Sequence, residues 1–280
     1  MKLFLDSAHL QEIKKAVSWV IIDGVTTNPS LIKKAVLAMR ESGERIDMDG
    51  YIKKILAEVG RMRPVSLEVA GLTADEMVEQ GKILYDKFDQ VTGNVAIKIP
   101  VCTVNTSGEG DPFDGIMAIN RLSDEKIPVN ATLIFTPEQA LLAAKAGADY
   151  VSPFAGRVDD RIRQKTGMKF EKTDYFPATG IFDESSTDSL ITDHELNSGV
   201  DLVARIVEIF SIYEVECEVI AASIRNATQA RDCAEAGADI ATVPFSVLES
   251  MVMHPGTRDG IDAFTNDLEN DYTALFSGEV

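Results

Sequence analysis

A chain of 280 residues, 45% hydrophobic and 26% charged, has the composition of a globular protein, which excludes wholesale disorder and a fibrous repeat. Its 45 acidic side chains against 27 basic ones give a formal charge of −18, a field that repels nucleic-acid backbones and anionic membranes, so neither is an expected partner. Cys102, Cys217 and Cys233 show no CxxC spacing and His9, His194 and His254 are far apart, so neither a disulfide framework nor a metal site is expected.

The N-terminal Leu3-Phe4-Leu5 run ends at Asp6, too short for a signal-peptide core. No apolar stretch approaches the ~18 residues of a membrane span, so the expectation is a cytoplasmic protein. Along the chain, β-rich runs predict strands at Lys2–Asp6, Ile21–Thr26, Val65–Ala70, Val95–Ile99, Pro128–Ile134, Asp149–Pro153, Glu218–Ala222 and Asp239–Val243. Amphipathic segments lie between them: Leu10, Ile13 and Val17 share a face, as do Ile52, Ile55, Leu56 and Val59. Asn28-Pro29 reads as an N-cap before a proline at the first helical position. Thr73–Glu76 and Thr136–Gln139 have the capping-box pattern, and Gly147 and Gly237 suit left-handed helix stops.

The segments QALLAAKAGAD (Gln139–Asp149) and QARDCAEAGAD (Gln229–Asp239) match at seven of eleven positions, each between two predicted strands. Eight strand–helix units and an internal echo predict an α/β fold, a single (β/α)₈ barrel over residues 1–280. A doubly wound open sheet is the competitor, but no Gly-x-Gly-x-x-Gly follows any strand. Two connections are long, at about 102–115 and 158–198; the second holds turn-like runs at Thr166-Gly167, Ala178–Gly180 and Asp183–Asp188. Such insertions are surface decoration, a lid, or a subunit contact.

Side chains alternate faces along a strand. Asp6, Glu68, Lys98, Asn130, Thr132 and Ser152 take the parity opposite to the aliphatic residues, Ser223 ends the seventh strand, and all seven are expected to face inward, late in their strands, where barrel enzymes carry active sites. Burial strips an ammonium of hydration and favours the nucleophilic neutral amine unless carboxylates compensate, so Lys98 reads either as a Schiff-base former or as the cation of a buried ion pair with Asp6 or Glu68. Asp6 and Glu68 are correspondingly proton carriers or counterions. Arg157 and Arg225 follow neighbouring strands; with Ser223 they suit a phosphate monoester, although an Arg taken singly is as readily a surface salt bridge.

These residues in this order resemble the transaldolase family. The carrying segments are Leu5–Ala8, Asp23–Leu31 with its Thr-Thr-Asn-Pro-Ser run, Ser66–Val69, Ile97–Pro100, Asn130–Phe135, Tyr150–Arg157 and Ala222–Asn226. The closest likeness is to the short bacterial and archaeal subfamily, which includes fructose-6-phosphate aldolases. The resemblance implies a metal-free, cofactor-free class I aldolase barrel. It implies transfer of a dihydroxyacetone unit from sedoheptulose 7-phosphate or fructose 6-phosphate to glyceraldehyde 3-phosphate or erythrose 4-phosphate, a pentose phosphate pathway reaction. By motif, Lys98 resembles the Schiff-base lysine and Asp6 the shuttle for the C4 hydroxyl proton. Glu68 and Thr132 resemble the holders of a catalytic water. Asn28, Asn130 and Ser152 look like hydroxyl binders, Arg157, Ser223 and Arg225 like the phosphate site, and Thr26 like a neighbour of Asp6. The aldolases tend to carry Gln and Tyr at the positions of Glu68 and Phe154, so this chain has the transferase pattern. The subfamily also implies a homo-oligomer, a pentamer or decamer, with Asp259–Phe276 as a helix that packs on a neighbour. The competing readings are the aldolase with the same lysine, a silent sugar-phosphate-binding barrel, and a metal-dependent aldolase.

Overall fold

Aliphatic runs bounded by Gly, Pro and Asp form eight parallel strands in the computed structural model, which describes residues 1–41, 43, 47–182, 190–268, 272 and 276. They are β1 (Lys2–Asp6), β2 (Gly24–Thr26), β3 (Val65–Glu68), β4 (Val95–Pro100), β5 (Val129–Ile134), β6 (Tyr150–Pro153), β7 (Glu218–Ala221) and β8 (Ile240–Val243). Each pairs with the next in sequence and β8 closes on β1, so the sheet is a closed (β/α)₈ barrel and the open-sheet alternative falls. The helices are α1 (Leu10–Ser18), α2 (Pro29–Glu41), α3 (Met48–Val59), α4 (Ala74–Thr92), α5 (Asp114–Asp124), α6 (Pro137–Lys145), α7 (Ala155–Lys165), α8 (Gly199–Ile212), α9 (Ala227–Glu235), α10 (Phe245–Ser250) and α11 (Pro255–Asn266).

Two strands are shorter than expected by more than one residue, for local reasons. Val20 turns the chain at φ 60° and Asp23 spends its carboxylate on the Leu3 N–H, so β2 starts at Gly24 and not at Ile21. Beyond Glu68, the Ala70 and Gly71 N–H groups donate to Gln80 Oε1 at 2.8 and 2.9 Å, which takes them out of the ladder. Both predicted capping boxes form, and Gly147 and Gly237 stop their helices at φ 99° and 88°.

The echoed segments play the same part twice. Gln139 and Gln229 each reach back from the first turn of a helix to accept an N–H of the preceding loop, from Phe135 and Arg225, both at 2.8 Å. Their closing aspartates, Asp149 and Asp239, accept from Val129 and Val219 at 2.8 Å, as Asp23 does from Leu3. The sequence match therefore encodes how one loop is held and how the next strand is registered.

The second long connection needs correction. Its first residues, Val158–Lys165, belong to α7, and α8 is the ring helix, packed between α6 and α9 and against β6 and β7. The irregular part begins at Thr166; Gly167 and Gly180 turn at φ 68° and 80°, while Asp183–Asp188 lies outside the described residues. The first long connection ends at Phe113, where α5 begins. The C-terminal helix starts at Pro255, earlier than expected, and the expected span past Leu268 lies largely outside the described residues. All three cysteines are free, and burial pushes the Cys217 and Cys233 thiols up to about 12.

Inside the barrel, the N-terminal end is plugged by Phe4, Ile220 and Ile240 with Tyr150 against them. Gly24 pairs with Phe4, and a Cβ there would sit 2.7 Å from the Phe4 ring, so the plug requires glycine. The polar half lies directly above this floor.

Candidate active site

Strand register lines up the polar residues. Asp6 is opposite Thr26, Glu68 opposite Lys98, and Lys98 opposite Asn130. The side chain of Lys98 is 6% exposed, and Nζ stands 3.4 Å from Glu68 Oε2. Thr26 Oγ1 donates to Asp6 Oδ1 at 2.8 Å and lies 2.5 Å from Thr242 Oγ1. On the other wall Ser152 Oγ donates to Asn130 Oδ1 at 2.7 Å, and Asn130 Nδ2 donates to Ser66 Oγ at 3.1 Å. Thr132 is fully buried and its hydroxyl bonds to no protein group among the described residues.

Burial raises the pKa of both carboxyls. For Asp6 desolvation outweighs the opposing Lys98 charge, the Thr26 hydrogen bond and the Arg225 charge. For Glu68 desolvation again dominates, against Lys98 and Arg157. Lys98 thus sits beside one carboxylate at ion-pair distance and in the field of a second. The ion-pair geometry weighed from the sequence exists with Glu68; no such contact joins Lys98 to Asp6 among the described residues.

The rim adds cations. Phe154 precedes α7, and its ring lies 5.9 Å from Lys98 Nζ, 5.0 Å from the Arg157 guanidinium and 5.8 Å from the Phe135 ring. Arg157 is exposed and, among the described residues, has no carboxylate partner. Ser223 sits at φ 61°, strained for a serine, and its carbonyl passes so close to Gly156 that a Cβ there would be 2.1 Å away. Arg225 differs from a free fork: its Nη2 bonds Asp160 Oδ2 at 2.6 Å, while its Nε is buried with no partner. Asp160 carried no expectation, since its partner is 65 residues away.

A cavity of about 170 Å³ is lined by Asp6, Thr26, Asn28, Lys98, Ser152, Phe154, Arg157, Ser223 and Arg225 of the predicted set. Glu68, Asn130 and Thr132 do not line it; Glu68 touches it through Lys98 and Asn130 through Ser152. Asn28 accepts the Leu31 N–H at 3.0 Å, so its amide oxygen caps α2. Thr242 and Lys172 also line the cavity and were missed. Thr242 had a signal, its parity with the inward Ile240; Lys172 had none, lying in an aperiodic connection. One parity expectation fails: β5 shifts register between Ala131 and Ile134, with Leu133 at φ 58°, so Ile134 and not Leu133 joins Ala131 in the outer core.

The sequence profile of the family described as "Transaldolase/Fructose-6-phosphate aldolase" matches residues 3–278. The chain belongs to that family. Similar curated relatives are each called "Probable transaldolase". Those from Hydrogenobaculum sp. (strain Y04AAS1) and Aquifex aeolicus (strain VF5) are 42% and 39% identical over 269 residues, covering 96% of this chain and 97% of theirs. That from Caldicellulosiruptor saccharolyticus is 42% identical over 270 residues, with the same coverage. Among the described residues this family member has no group of three or more His, Cys, Asp or Glu placed to hold a metal ion, and no helix long and apolar enough to cross a membrane.

Proposed function

We propose that this barrel is a transaldolase that moves a dihydroxyacetone unit between ketose and aldose phosphates through a Schiff base on Lys98. One observation carries the reading: a buried primary amine between two desolvated carboxyls, under a rim whose Arg157 lacks a carboxylate partner among the described residues. In an acidic chain that combination suits a substrate with a ketone at one end and a phosphate at the other.

The amine adds to the ketone carbon and the carbinolamine loses water to give the iminium. Asp6 takes the proton of the C4 hydroxyl, the C3–C4 bond breaks, its electron pair passes into the iminium as an enamine, and an aldose phosphate leaves. The enamine then attacks the carbonyl carbon of the acceptor aldose, Asp6 returns the proton to the new hydroxyl, and water adding to the iminium frees the ketose. Glu68, with the unbonded Thr132 hydroxyl, would handle that water. Thr26 holds Asp6 and Thr242 holds Thr26; Asn28, Asn130 and Ser152 would receive the sugar hydroxyls. Arg157, Ser223 and the free edge of Arg225 would receive the phosphate, Asp160 aiming the guanidinium.

Phe154 supports the transferase over the aldolase. Its ring covers Lys98 and Arg157 without a hydroxyl that could protonate the enamine, so the enamine waits for an aldehyde. No cofactor enters. The same reading makes the chain one cytoplasmic catalytic unit and a homo-oligomer: α11 buries none of its residues and exposes Ile261 and Phe264, at 60% and 73%, as a face for another copy.

Borohydride reduction in the presence of fructose 6-phosphate, followed by peptide mass mapping, tests the proposal. The expected adduct is on Lys98; an adduct elsewhere, or none, rejects it. Turnover of fructose 6-phosphate that depends on erythrose 4-phosphate distinguishes transferase from aldolase.

A further inference from the structure

We infer that Lys172 is a third cation of the phosphate end, a residue that sets affinity for the phosphorylated tail of the sugar; this rests on the phosphate-site reading above. Lys172 lines the inner cavity with Lys98, Arg157, Ser223 and Arg225. It also lines an adjoining outer cavity with Arg157 and Arg225, so it stands where the two meet.

Apart from Arg157, its cationic neighbours on that side have carboxylate partners among the described residues. Arg161 and Lys165 both pair with Asp193, and Arg225 pairs with Asp160. Among the described residues Lys172 has no ion pair and no side-chain hydrogen bond, although the chain carries a charge of −18. An ammonium left over beside an exposed Arg157, in a molecule with carboxylates to spare, is a site for an anion from outside.

The backbone around Lys172 is anchored, not adrift. Arg163 lies between the rings of Phe170 and Phe176, at 4.9 and 5.1 Å, and its Nη2 donates to the Asp174 carbonyl at 2.9 Å. Tyr175 donates to Asp232 at 2.7 Å. Most directly, Asn226, the residue after Arg225, divides its amide: Oδ1 accepts from Gln229 N and caps α9, while Nδ2 donates to the Thr173 carbonyl at 3.1 Å. The lysine is thus tethered to the loop that carries Ser223 and Arg225. A compact ammonium on a four-carbon stem can follow a phosphate whose position changes with sugar length, where a guanidinium fixed by Asp160 cannot.

The test uses Lys172→Gln, Lys172→Arg and Asn226→Ser; serine keeps the helix cap and removes the tether. Lys172→Gln is expected to raise KM for fructose 6-phosphate roughly three- to tenfold, the scale of one charge-assisted contact at a wet site, with the change in KM rather than kcat. KM for unphosphorylated fructose as donor should hold, Lys172→Arg should recover most of the loss, and Asn226→Ser should show part of it. An equal rise for both donors, or no rise for the phosphorylated one, overturns the proposal. Calorimetry with inorganic phosphate on wild type and Lys172→Gln is independent of turnover: equal Kd values overturn the proposal even where the Lys98 adduct forms, whereas a missing adduct with a weakened phosphate Kd rejects the reaction and keeps the site.

Discussion

At its N-terminal end the barrel interior holds Phe4, Tyr150, Ile220 and Ile240, from β1, β6, β7 and β8; toward the C-terminal ends of the strands it presents Asp6, Glu68, Lys98, Asn130, Ser152 and Thr242. The two ends share one backbone and one parity and differ in cost. The apolar end stabilises by burial and packs against itself. The polar end buries an ammonium and two carboxyls that water would solvate better, and each polar atom needs a partner. The apolar floor closes the barrel beneath the polar residues, whose burial raises the two carboxyl pKa values.

Removing Lys98, the proposed nucleophile, should break the polar end most severely. Lys98→Met should lower turnover by at least about 10⁴-fold, the scale of losing a catalytic nucleophile, with folding intact by circular dichroism. Parental turnover would end the Schiff-base proposal. Asp6→Asn comes next, with a loss of about 10²–10⁴-fold in kcat/KM. Its pH profile carries more information. Because burial raises the Asp6 pKa, its carboxylate is lost earlier than usual as pH falls, so the acid limb of kcat/KM should lie above the ordinary carboxylate range. In Asp6→Asn the share of that limb due to Asp6 should vanish; an unchanged limb would assign it to Glu68, also raised.

Breaking the floor should have the opposite signature. Phe4→Ala should cost about 3–5 kcal/mol by denaturant unfolding while the fraction that remains folded still forms the Lys98 adduct. Adduct loss without destabilisation would show that the two ends are not separable.

The smallest effect contrasts a carboxyl outside the barrel. Asp159 accepts from Gly199 N and Gln229 Nε2, yet burial raises its pKa from 3.8 to about 7. Below pH 3.8 both states hold the proton. Between 3.8 and about 7 the unfolded chain releases it and the native state keeps it, so stability should fall as pH rises, by at most about 1.4 kcal/mol per pH unit. Asp159→Asn should flatten that slope in urea titrations at pH 4.5 and 7; an unaltered slope would place the titration elsewhere.

The barrel was legible because its signals are local. Period-two alternation set the inward parity of Asp6, Glu68, Lys98, Asn130, Thr132 and Ser152, and Thr136 with Gln139 announced a capping box that forms. Where local geometry departs from the repeat, the reading failed: the left-handed Leu133 shifts β5, and the expected 158–198 connection conceals most of α7, the ring helix α8 beginning just beyond it at Gly199.

Local periodicity and cap chemistry thus determined strand order and the wall on which Lys98 stands. Tertiary structure alone decided which groups share a partner: Glu68 and not Asp6 at ion-pair distance from Lys98, Asp160 holding Arg225, Thr242 closing on Thr26 across 216 residues, and Lys172 arriving from an aperiodic connection. The reason is physical. Parity says which way a side chain points, but a hydrogen bond or ion pair depends on ångström-scale placement of atoms from remote strands, which only the closed barrel sets.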